Sequence, residues 1–412
     1  MKREGGGGRW TNWAGSVACE PALAAMPDIA GIAGILSDAR DKGMTVRPRG
    51  TGHSFVPLCA TDGLMVGADN MQGIVRIDRR FGQATILAGT VIADLGEPLN
   101  SAGLALANQG DIDVQTIAGA IGTGTHGTGL RFGNLSTQLA SMRMVTASGG
   151  ILEVSRATDP RVFDAAGVSL GSLGIIVDVT LNLVRSYRLR EENFLLEAEE
   201  CCSALPRIQA GWRNVELFWL PEFDQCVVKW LTPTARALTP DDEMDPPLAA
   251  PGTVERYLRP ARIHWSHRIY PSKRTVRFNE MEFAVPLARG PDCFRSIRDL
   301  VRLEFPEVRW AVEYRTVAAD SFHLSQAHGA DVACISVHEH ADAHYEPFFR
   351  AAQEIFLSHG GRPHWGKTHY CDASMLAPLY PRWDDFLSVR RELDPHGLFL
   401  NPYLRLLFGI DD

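Results

Sequence analysis

The sequence predicts an α+β fold of two or three domains. Its 412 residues exceed the roughly 150 residues of an average domain more than twofold. Hydrophobic residues make up 45% and charged residues 22%, a balance typical of folded globular proteins. Short apolar runs alternate with glycine and proline turns, and no internal repeat is visible. No apolar run approaches the roughly 18 residues of a membrane-spanning helix.

Charge and cysteine content narrow the class of protein. A net charge of −8 argues against nucleic acid or an anionic membrane as the main partner. The eight cysteines have neither the spacing of paired metal ligands nor that of a disulfide framework, so we predict a reducing cytoplasm. Residues 1–11 contain four consecutive glycines and no apolar stretch, which predicts a mobile tail rather than a secretion signal.

The first half of the chain predicts short elements in a regular order. A helix begins after Pro27 and Asp28 and ends at Gly43, because isoleucine and leucine recur over 29–36 at helical spacing. A strand over 45–47 follows, and Pro48 begins a loop. Further strands are expected over 63–66, 73–77 and 83–87, then a helix over 92–102 and more alternation over 142–183.

The composition changes after Tyr187, where tryptophan and charged residues become frequent, so we predict a domain boundary near residue 188. Aromatic and β-branched residues predict strands in the second region, over 216–220, 226–231, 309–317 and 333–340. Helices are expected over 293–304 and 346–359, and an exposed acidic loop over 241–247.

The first motif with chemical meaning is the glycine loop 47–54, which follows a strand. Its two glycines allow the backbone N–H groups to approach and surround a phosphate. An ordinary glycine-rich turn would look the same. The residues that could hold a cofactor here are Pro48, Arg49, Gly50, Thr51, Gly52, His53 and Ser54.

A second glycine-rich segment spans 119–129, and a third spans 167–176. Gly122, Gly124 and Gly127 formally match the dinucleotide fingerprint G-x-G-x-x-G. That fingerprint must open a helix, yet poor helix formers follow it, and the acidic residue expected about twenty residues later is missing. Three such segments without a Rossmann unit favour a large cofactor bound in extended form.

With these motifs in place, the chain resembles the vanillyl-alcohol-oxidase/p-cresol-methylhydroxylase superfamily, and within it the aldonolactone oxidase and alditol oxidase branch. The resemblance runs from Asn12 to Leu404. It rests on four segments in the family's order, which are Gly52-His53-Ser54, Thr125-His126-Gly127-Thr128-Gly129, Met281-Glu282-Phe283-Ala284-Val285-Pro286 and His364-Trp365-Gly366-Lys367. It implies a p-cresol-methylhydroxylase-type FAD-binding domain over 12–188, an α+β substrate domain over 189–375, and a C-terminal segment, 376–412, that returns to the FAD domain.

The resemblance implies FAD as the cofactor, bonded covalently through its 8α-methyl group to His53. The alternative is a histidine that only hydrogen-bonds the loop. A second attachment through cysteine is excluded, because no cysteine lies between Cys59 and Cys201. Beyond loop 48–54, the cofactor-binding residues implied are Thr116, Gly119, Thr123, Gly124, Thr125, His126, Ile176 and Lys367.

Glu313 and Arg315 stand on one face of the predicted strand 309–317, because alternate residues of a strand point the same way. By themselves they read more readily as a salt bridge on a solvated strand than as a catalytic pair. In the alditol oxidases, which this segment resembles, the acid and the arginine face the flavin. The resemblance therefore implies that Glu313 and Arg315 are catalytic, together with Lys367, a cation that can stabilise negative charge on the reduced ring.

Asp111, Ser336 and His338 are candidate substrate contacts by rough alignment with alditol oxidases. Ser336 and His338 differ from the family's residues there, which puts a sugar-alcohol specificity in doubt. His338, His340 and His344 form a histidine cluster without a matching carboxylate pattern, and we do not predict a metal site.

The resemblance implies an oxidase that removes hydride from a carbinol carbon of a polyol or sugar lactone. FAD would accept the hydride, and oxygen would reoxidise it to give hydrogen peroxide. One alternative is a dehydrogenase of the same fold that passes electrons to a cytochrome or quinone. Another is a NAD-binding or non-catalytic flavin-binding protein. The sequence leaves the exact substrate and the oligomeric state open.

Overall fold

The computed structural model describes residues 8–26, 28–243 and 253–411. These residues form a mixture of helices and sheets, which confirms the predicted α+β class. Pro27, most of the predicted tail and residues 244–247 of the predicted acidic loop lie outside the described residues. No helix in the described part of the chain is long and apolar enough to cross a membrane.

Up to residue 185, the described part of the chain supplies several small sheets, four α-helices and one 3₁₀ helix. In order, its elements are β1 Trp10–Thr11, β2 Ala18–Cys19, β3 Ala22–Ala25, α1 Ile29–Asp41, β4 Val46–Arg49, β5 Leu64–Gly67, β6 Ile74–Asp78, β7 Gln83–Leu87, α2 Ala93–Ser101, β8 Leu104–Ala105, α3 Ile117–Gly122, a 3₁₀ helix Leu135–Gln138, β9 Leu139–Val145, β10 Ile151–Ser155, α4 Pro160–Ala166, β11 Ile175–Asn182 and β12 Val184–Arg185.

The remaining chain builds one large sheet and its covering helices. Its elements are β13 Arg188–Glu197, α5 Ala198–Gly211, β14 Asn214–Leu220, β15 Gln225–Thr234, a 3₁₀ helix Pro240–Glu243, α6 Val254–Tyr257, β16 Arg262–Trp265, α7 Ser266–Ile269, β17 Phe278–Pro286, a 3₁₀ helix Leu287–Arg289, α8 Gly290–Glu304, β18 Val312–Val317, β19 Val332–His340, α9 Glu346–Ser358, β20 Arg362–Pro363, α10 Ala373–Leu376, a 3₁₀ helix Ala377–Leu379, α11 Trp383–Leu393 and α12 Pro402–Phe408.

Helix α1 shows how closely local sequence signals match the structure. Asp28 caps it by accepting a hydrogen bond from the Gly31 amide at 2.7 Å. Gly43 follows its end with φ of +62°, a conformation that glycine adopts without strain. The helix buries Ile32 and Leu36 in the core beside the first sheets, as the periodicity predicts.

Two sheets of the first region frame the glycine loops. The strand order β3-β5-β4 is parallel, and the order β10-β9-β11-β7-β6 is antiparallel. Pro48 lies inside β4 and does not begin a loop, so that expectation is wrong. A proline is tolerated there because β4 is an edge strand, where a missing N–H need not break the ladder.

The large sheet begins at Arg188 and has eight strands in the order β16-β13-β15-β14-β18-β19-β17-β20. Helices α5, α8 and α9 contact the sheet strands, and α8 buries Phe294 and Ile297. Strand β18 starts at Val312, three residues later than predicted, because the Ala311 carbonyl accepts a hydrogen bond from the His338 ring at 3.0 Å.

Two predictions about the chain ends are adjusted by the structure. Trp10–Thr11 pairs with Ala18–Cys19, so a tail reaching residue 11 is wrong for these two residues. The C-terminal segment contacts the first region, where the Val46 amide donates to the Leu398 carbonyl at 2.8 Å. Asn401 also donates to the carbonyl of Pro57 at 2.7 Å.

Candidate active site

Two spaces with shared lining residues mark the candidate site, the first within the first region and the second between that region and the large sheet. The first is a narrow cleft of about 130 Å³ along the glycine loops, and the second is a wide cavity of about 510 Å³ over the sheet. His53 and Gln115 line both spaces. The wide cavity has the size of a typical ligand site, so the two spaces can hold an extended molecule and a small partner.

The glycine loop 47–54 forms one wall of the narrow cleft and the start of α3 forms the other. A Cβ atom on Gly50 would lie 2.2 Å from the Thr116 hydroxyl, so only glycine allows this approach. Gly52 has φ of +77°, which also favours glycine. Thr116 caps α3 by accepting a hydrogen bond from Gly119 N at 3.3 Å.

The structure brings most of the predicted cofactor residues to the narrow cleft. These are Pro48, Arg49, Gly50, Thr51, Gly52, His53, Ser54, Thr116, Gly119, Thr123 and Ile176. Thr125, His126 and Lys367 line the wide cavity instead. Gly124 lines neither space and packs beside Gln326, whose Oε1 would lie 2.7 Å from a Cβ at this position.

The fingerprint glycines Gly122, Gly124 and Gly127 stand at the end of α3 and after it and do not open a helix, which agrees with rejecting the Rossmann fingerprint. The glycine-rich segment 119–129 reaches the large sheet, where the Gly129 amide donates to the Thr316 carbonyl at 2.9 Å. The Thr128 hydroxyl accepts from the Thr316 amide at 3.2 Å. This contact fixes β18, and with it Glu313 and Arg315, against the glycine segment.

His53 stands where the cleft meets the cavity, with the Trp13 ring 5.7 Å away. Burial, helped by the nearby Lys367 ammonium, lowers the pKa of His53 to about 4. The imidazole is therefore neutral at physiological pH and has a free lone pair. A neutral ring is the form that can bond to an electrophilic carbon.

The floor of the wide cavity is one face of the large sheet. Residues in register across β18, β19 and β17 share that face: Glu313 pairs with Ser336, and Ser336 pairs with Glu282. His338 pairs with Glu280 one step further along. Every one of these side chains is buried, so the charged ones need partners among neighbouring side chains or in a bound molecule.

Glu313 and Arg315 project together into the cavity, as the strand alternation predicts. Arg315 Nη2 lies 3.0 Å from Glu313 Oε2 and 2.9 Å from Glu282 Oε2. Burial raises the pKa of Glu313 above its ordinary value, although Arg315 opposes the shift. A raised pKa makes this carboxyl group a more effective proton acceptor than an ordinary glutamate.

Lys367 forms an ion pair with Glu280 and lies 5.2 Å from the centre of the Phe55 ring. His338 Nε2 lies 3.6 Å from the other oxygen of Glu280, while its Nδ1 donates to Ala311. Burial alone would lower the pKa of His338, but Glu280 raises it. Lysine, carboxylate and histidine thus form one charged group beside His53.

Asp111 is paired with Arg274, a residue that the sequence analysis did not predict to be part of the site. Its carboxylate forms an ion pair with Arg274 and stands 3.8 Å from Arg315. Burial favours the neutral acid, yet Arg274 and Arg315 lower the pKa of Asp111 to about 2. The Asp111 carbonyl also accepts from the Ser272 amide at 2.8 Å, which joins two loops over the cavity.

Ser336 does not line the wide cavity, in contrast to His338. It is fully buried and donates to Glu282 Oε2 at 2.7 Å. His340 and His344 are exposed and stand apart from the buried His338. Among the described residues, the groups whose ligand atoms converge closely enough for a metal ion do not include this histidine cluster.

Sequence reasoning missed Glu280, Glu282, Arg274 and His364, all of which line the cavity. Strand β17 was not predicted, although Glu282 belongs to a motif that marked the family resemblance. A signal was present: β17 is buried from Phe278 to Val285, and two carboxylates within such an apolar strand point to partners on neighbouring strands.

The two spaces fit the FAD that the resemblance implies. The cleft is narrow because glycines at positions 50 and 52 let the backbone close in, and a side chain at Gly50 would disturb its wall. At the junction, Gln115 Oε1 is buried without a hydrogen-bond partner, an acceptor ready for a donor on a bound molecule.

Comparison with known proteins agrees with this reading. Residues 21–155 match the family model described as FAD binding domain, and residues 249–407 match the one described as D-arabinono-1,4-lactone oxidase. The chain is 35% identical to an L-gulono-1,4-lactone dehydrogenase of Mycobacterium tuberculosis, over 97% of this chain and 99% of that protein. The first match confirms FAD as the cofactor.

Two further relatives and one solved structure extend the comparison. The chain is 28% identical to L-gulonolactone oxidase of Bos taurus, over 98% of each chain. It is 28% identical to alditol oxidase of a Streptomyces species, over 86% of this chain and 88% of that one. Cholesterol oxidase of Brevibacterium sterolicum has the same fold, with a TM-score of 0.83 at 17% identity, over 97% of this chain and 96% of that one.

Proposed function

Because the chain belongs to the aldonolactone and alditol oxidase branch of the vanillyl-alcohol-oxidase/p-cresol-methylhydroxylase superfamily, we propose that it oxidises a carbinol carbon of a polyol or sugar lactone. FAD, when bound, accepts the hydride that leaves this carbon. One observation carries the proposal: Glu313, Arg315 and Lys367 line the same cavity as His53, which also lines the cofactor cleft.

In this proposal Glu313 accepts the proton of the substrate hydroxyl. Its raised pKa supports this role, because a base whose pKa approaches the working pH is the most effective one. Arg315 orients the substrate oxygen through its planar guanidinium, which carries several N–H donors in a fixed geometry. Both side chains leave one rigid strand, so their separation is maintained during turnover.

Lys367 supplies positive charge to the cofactor side of the cavity. Its partner Glu280 holds the ammonium in place, and His338 holds the carboxylate. We propose that this arrangement stabilises negative charge on the reduced ring. We place His338 and Asp111 at the substrate, while Ser336 would act on it only through Glu282.

His53 is our proposed site of covalent FAD attachment, through the 8α-methyl group. Its position at the junction and its low pKa, which keeps the ring neutral, support the proposal. Acid precipitation tests it: the yellow colour should stay with the protein. Flavin released into the supernatant would contradict the attachment.

The electron acceptor has two candidates. We favour oxygen, giving hydrogen peroxide, because relatives named L-gulonolactone oxidase and alditol oxidase align over most of the chain. A relative at 35% identity is named a dehydrogenase, which supports a cytochrome or quinone acceptor instead. All eight cysteines are free, which supports our proposal of a reducing, cytoplasmic compartment.

A screen for flavin bleaching tests the proposed reaction. The purified yellow protein is mixed without oxygen with alditols, aldono-1,4-lactones and simple secondary alcohols, and loss of flavin absorbance is followed. We expect polyols or sugar lactones to bleach the flavin, whereas simple alcohols lack the hydroxyl groups that the charged floor recognises. Bleaching by none of the polyols or lactones would refute the proposed substrate class.

A further inference from the structure

We propose that Glu282 is a positioning residue of this site: a permanently ionised carboxylate that fixes the guanidinium of Arg315 and holds His126 as an imidazolium. The proposal deepens the proposed function and rests on it for its kinetic consequence. The protonation of His126 can be tested independently of any substrate.

Glu282 is 2% exposed and accepts hydrogen bonds from three side chains. Oε2 receives Arg315 Nη2 at 2.9 Å and the Ser336 hydroxyl at 2.7 Å. Oε1 receives His126 Nε2 at 2.7 Å. An ionised carboxylate offers acceptors only, so three donors around it satisfy the charged form. Three donors occupy most of the roughly four lone-pair sites of a carboxylate, so Glu282 is held in its charged form and is a poor proton acceptor in turnover.

His126 has its two ring nitrogens facing acceptors. Nδ1 is 2.9 Å from the Gly127 carbonyl oxygen, which can only accept, so this nitrogen carries a proton. Nε2 is 2.7 Å from Glu282, whose other oxygen already meets a guanidinium. With both nitrogens donating, the ring is an imidazolium, and it lines the cavity beside Thr125.

The ionisable groups around this pair agree with that assignment. Cys334 and His364 face His126, while Arg315 and Glu280 stand near Glu282. Burial would lower the pKa of His126, but its Cys334 and Glu282 neighbours raise it well above its ordinary value. Burial would raise the pKa of Glu282, but His126 and Arg315 lower it well below.

Glu282 and Glu313 therefore have different roles, although both carboxylates contact Arg315. Glu282 and Glu313 both touch Arg315 Nη2, yet only Glu313 has a raised pKa. Opposite shifts in neighbouring acids assign them different roles. Glu282 holds Arg315 in place and Glu313 exchanges protons, while His126 adds a fixed positive charge to the cavity wall.

The first test is nuclear magnetic resonance of the flavin-loaded protein with isotope-labelled histidine. The ring-nitrogen shifts of His126, assigned by comparison with His126→Gln, report whether one or two nitrogens carry protons. We expect His126 to stay doubly protonated from pH 6 to 8, and to become neutral at pH 8 in Glu282→Gln. A neutral His126 at pH 8 in the parent protein would overturn the proposal.

The second test is the rate of anaerobic flavin reduction by a substrate that reduces the parent. We expect at least a tenfold loss in Glu282→Gln and a smaller loss in Glu282→Asp, which keeps the charge on a shorter side chain. Glu191→Gln is the control, because Glu191 is also buried against an arginine, Arg262 at 3.0 Å, and lines a smaller neighbouring space but not the wide cavity. Its rate should stay within twofold.

The outcomes separate cleanly. A Glu282→Gln rate within twofold of the parent, with thermal stability lowered as in Glu191→Gln, would make Glu282 merely structural. If Glu282→Gln does not fold, the His126 titration in the parent protein and the flavin-reduction rate of Glu282→Asp still test the proposal. Should no polyol or lactone reduce the parent flavin, the proposed function fails, and the His126 spectrum alone supports or overturns the assigned protonation.

Discussion

Glu313→Gln removes one negative charge from the cavity floor and leaves the size of the side chain unchanged. Arg315 stays paired with Glu282 at 2.9 Å, so the substitution does not strand a buried cation. An uncompensated buried charge costs about 3–5 kcal/mol of stability. We expect a smaller loss here, because one carboxylate still contacts the guanidinium.

The effect on rate should be much larger than the effect on folding. If Glu313 accepts the hydroxyl proton, its loss slows flavin reduction by about 10²–10⁴-fold, the range for a general base. This corresponds to about 3–5 kcal/mol at the transition state. The bound-flavin spectrum should stay near that of the parent, because Glu313 lines the wide cavity and not the cofactor cleft.

The role of Glu313 as a base also predicts how the flavin-reduction rate changes with pH. The protonated acid cannot accept a proton, so the parent rate should fall as the pH falls through the pKa of Glu313. Because burial raises that pKa, the fall should begin above the pH range of an ordinary glutamate. In Glu313→Gln this acid limb should disappear, since the amide does not titrate.

Stopped-flow absorbance without oxygen measures the reduction rate, and thermal unfolding measures stability. Glu191→Gln again serves as the control for a lost buried carboxylate outside the cavity. Suppose Glu313→Gln lowers the melting temperature but keeps the reduction rate within about threefold, a change worth under about 1 kcal/mol. Glu313 and Arg315 would then be a structural salt bridge, and the catalytic assignment would be refuted.

Three further predictions address the cofactor and its reoxidation. His53→Ala should release the flavin on acid precipitation, whereas the parent should retain it, as measured by absorbance of the supernatant. Gly50→Ala should lower the flavin bound per protein, because the new Cβ would lie 2.2 Å from the Thr116 hydroxyl, whereas Gly34→Ala, in open space on α1, should not. In air, peroxide should form in step with substrate loss; turnover with an artificial acceptor but none with oxygen would indicate a dehydrogenase.

Several parts of the fold could be predicted because their causes are local. Helix α1 depends on the Asp28 cap, its apolar spacing and Gly43, all within sixteen residues of sequence. The shared face of Glu313 and Arg315 follows from strand alternation alone. The glycine loop 47–54 implied close approach of the backbone, and the structure shows it at Gly50.

Errors arose where a neighbouring element overrode the local signal. Pro48 reads as the start of a loop, yet it is accommodated in the edge strand β4. The sequence predicts a continuous strand over 309–317, yet the strand begins only at Val312. The Ala311 carbonyl accepts a hydrogen bond from the ring of His338, which belongs to the adjacent strand. In both places the partner, β5 for Pro48 and His338 for Ala311, lies far away in the sequence, so the neighbouring residues carry no sign of it.

By itself the sequence determined the fold class, the cofactor family and which of its residues can carry charge into a site. Only the tertiary structure decided which charges meet. His126 and Glu282 are 156 positions apart, and Glu282 and Arg315 are 33 apart, yet each pair is within hydrogen-bonding distance. The physical reason is that periodicity fixes the face on which a side chain stands, whereas strand order and register fix its neighbours.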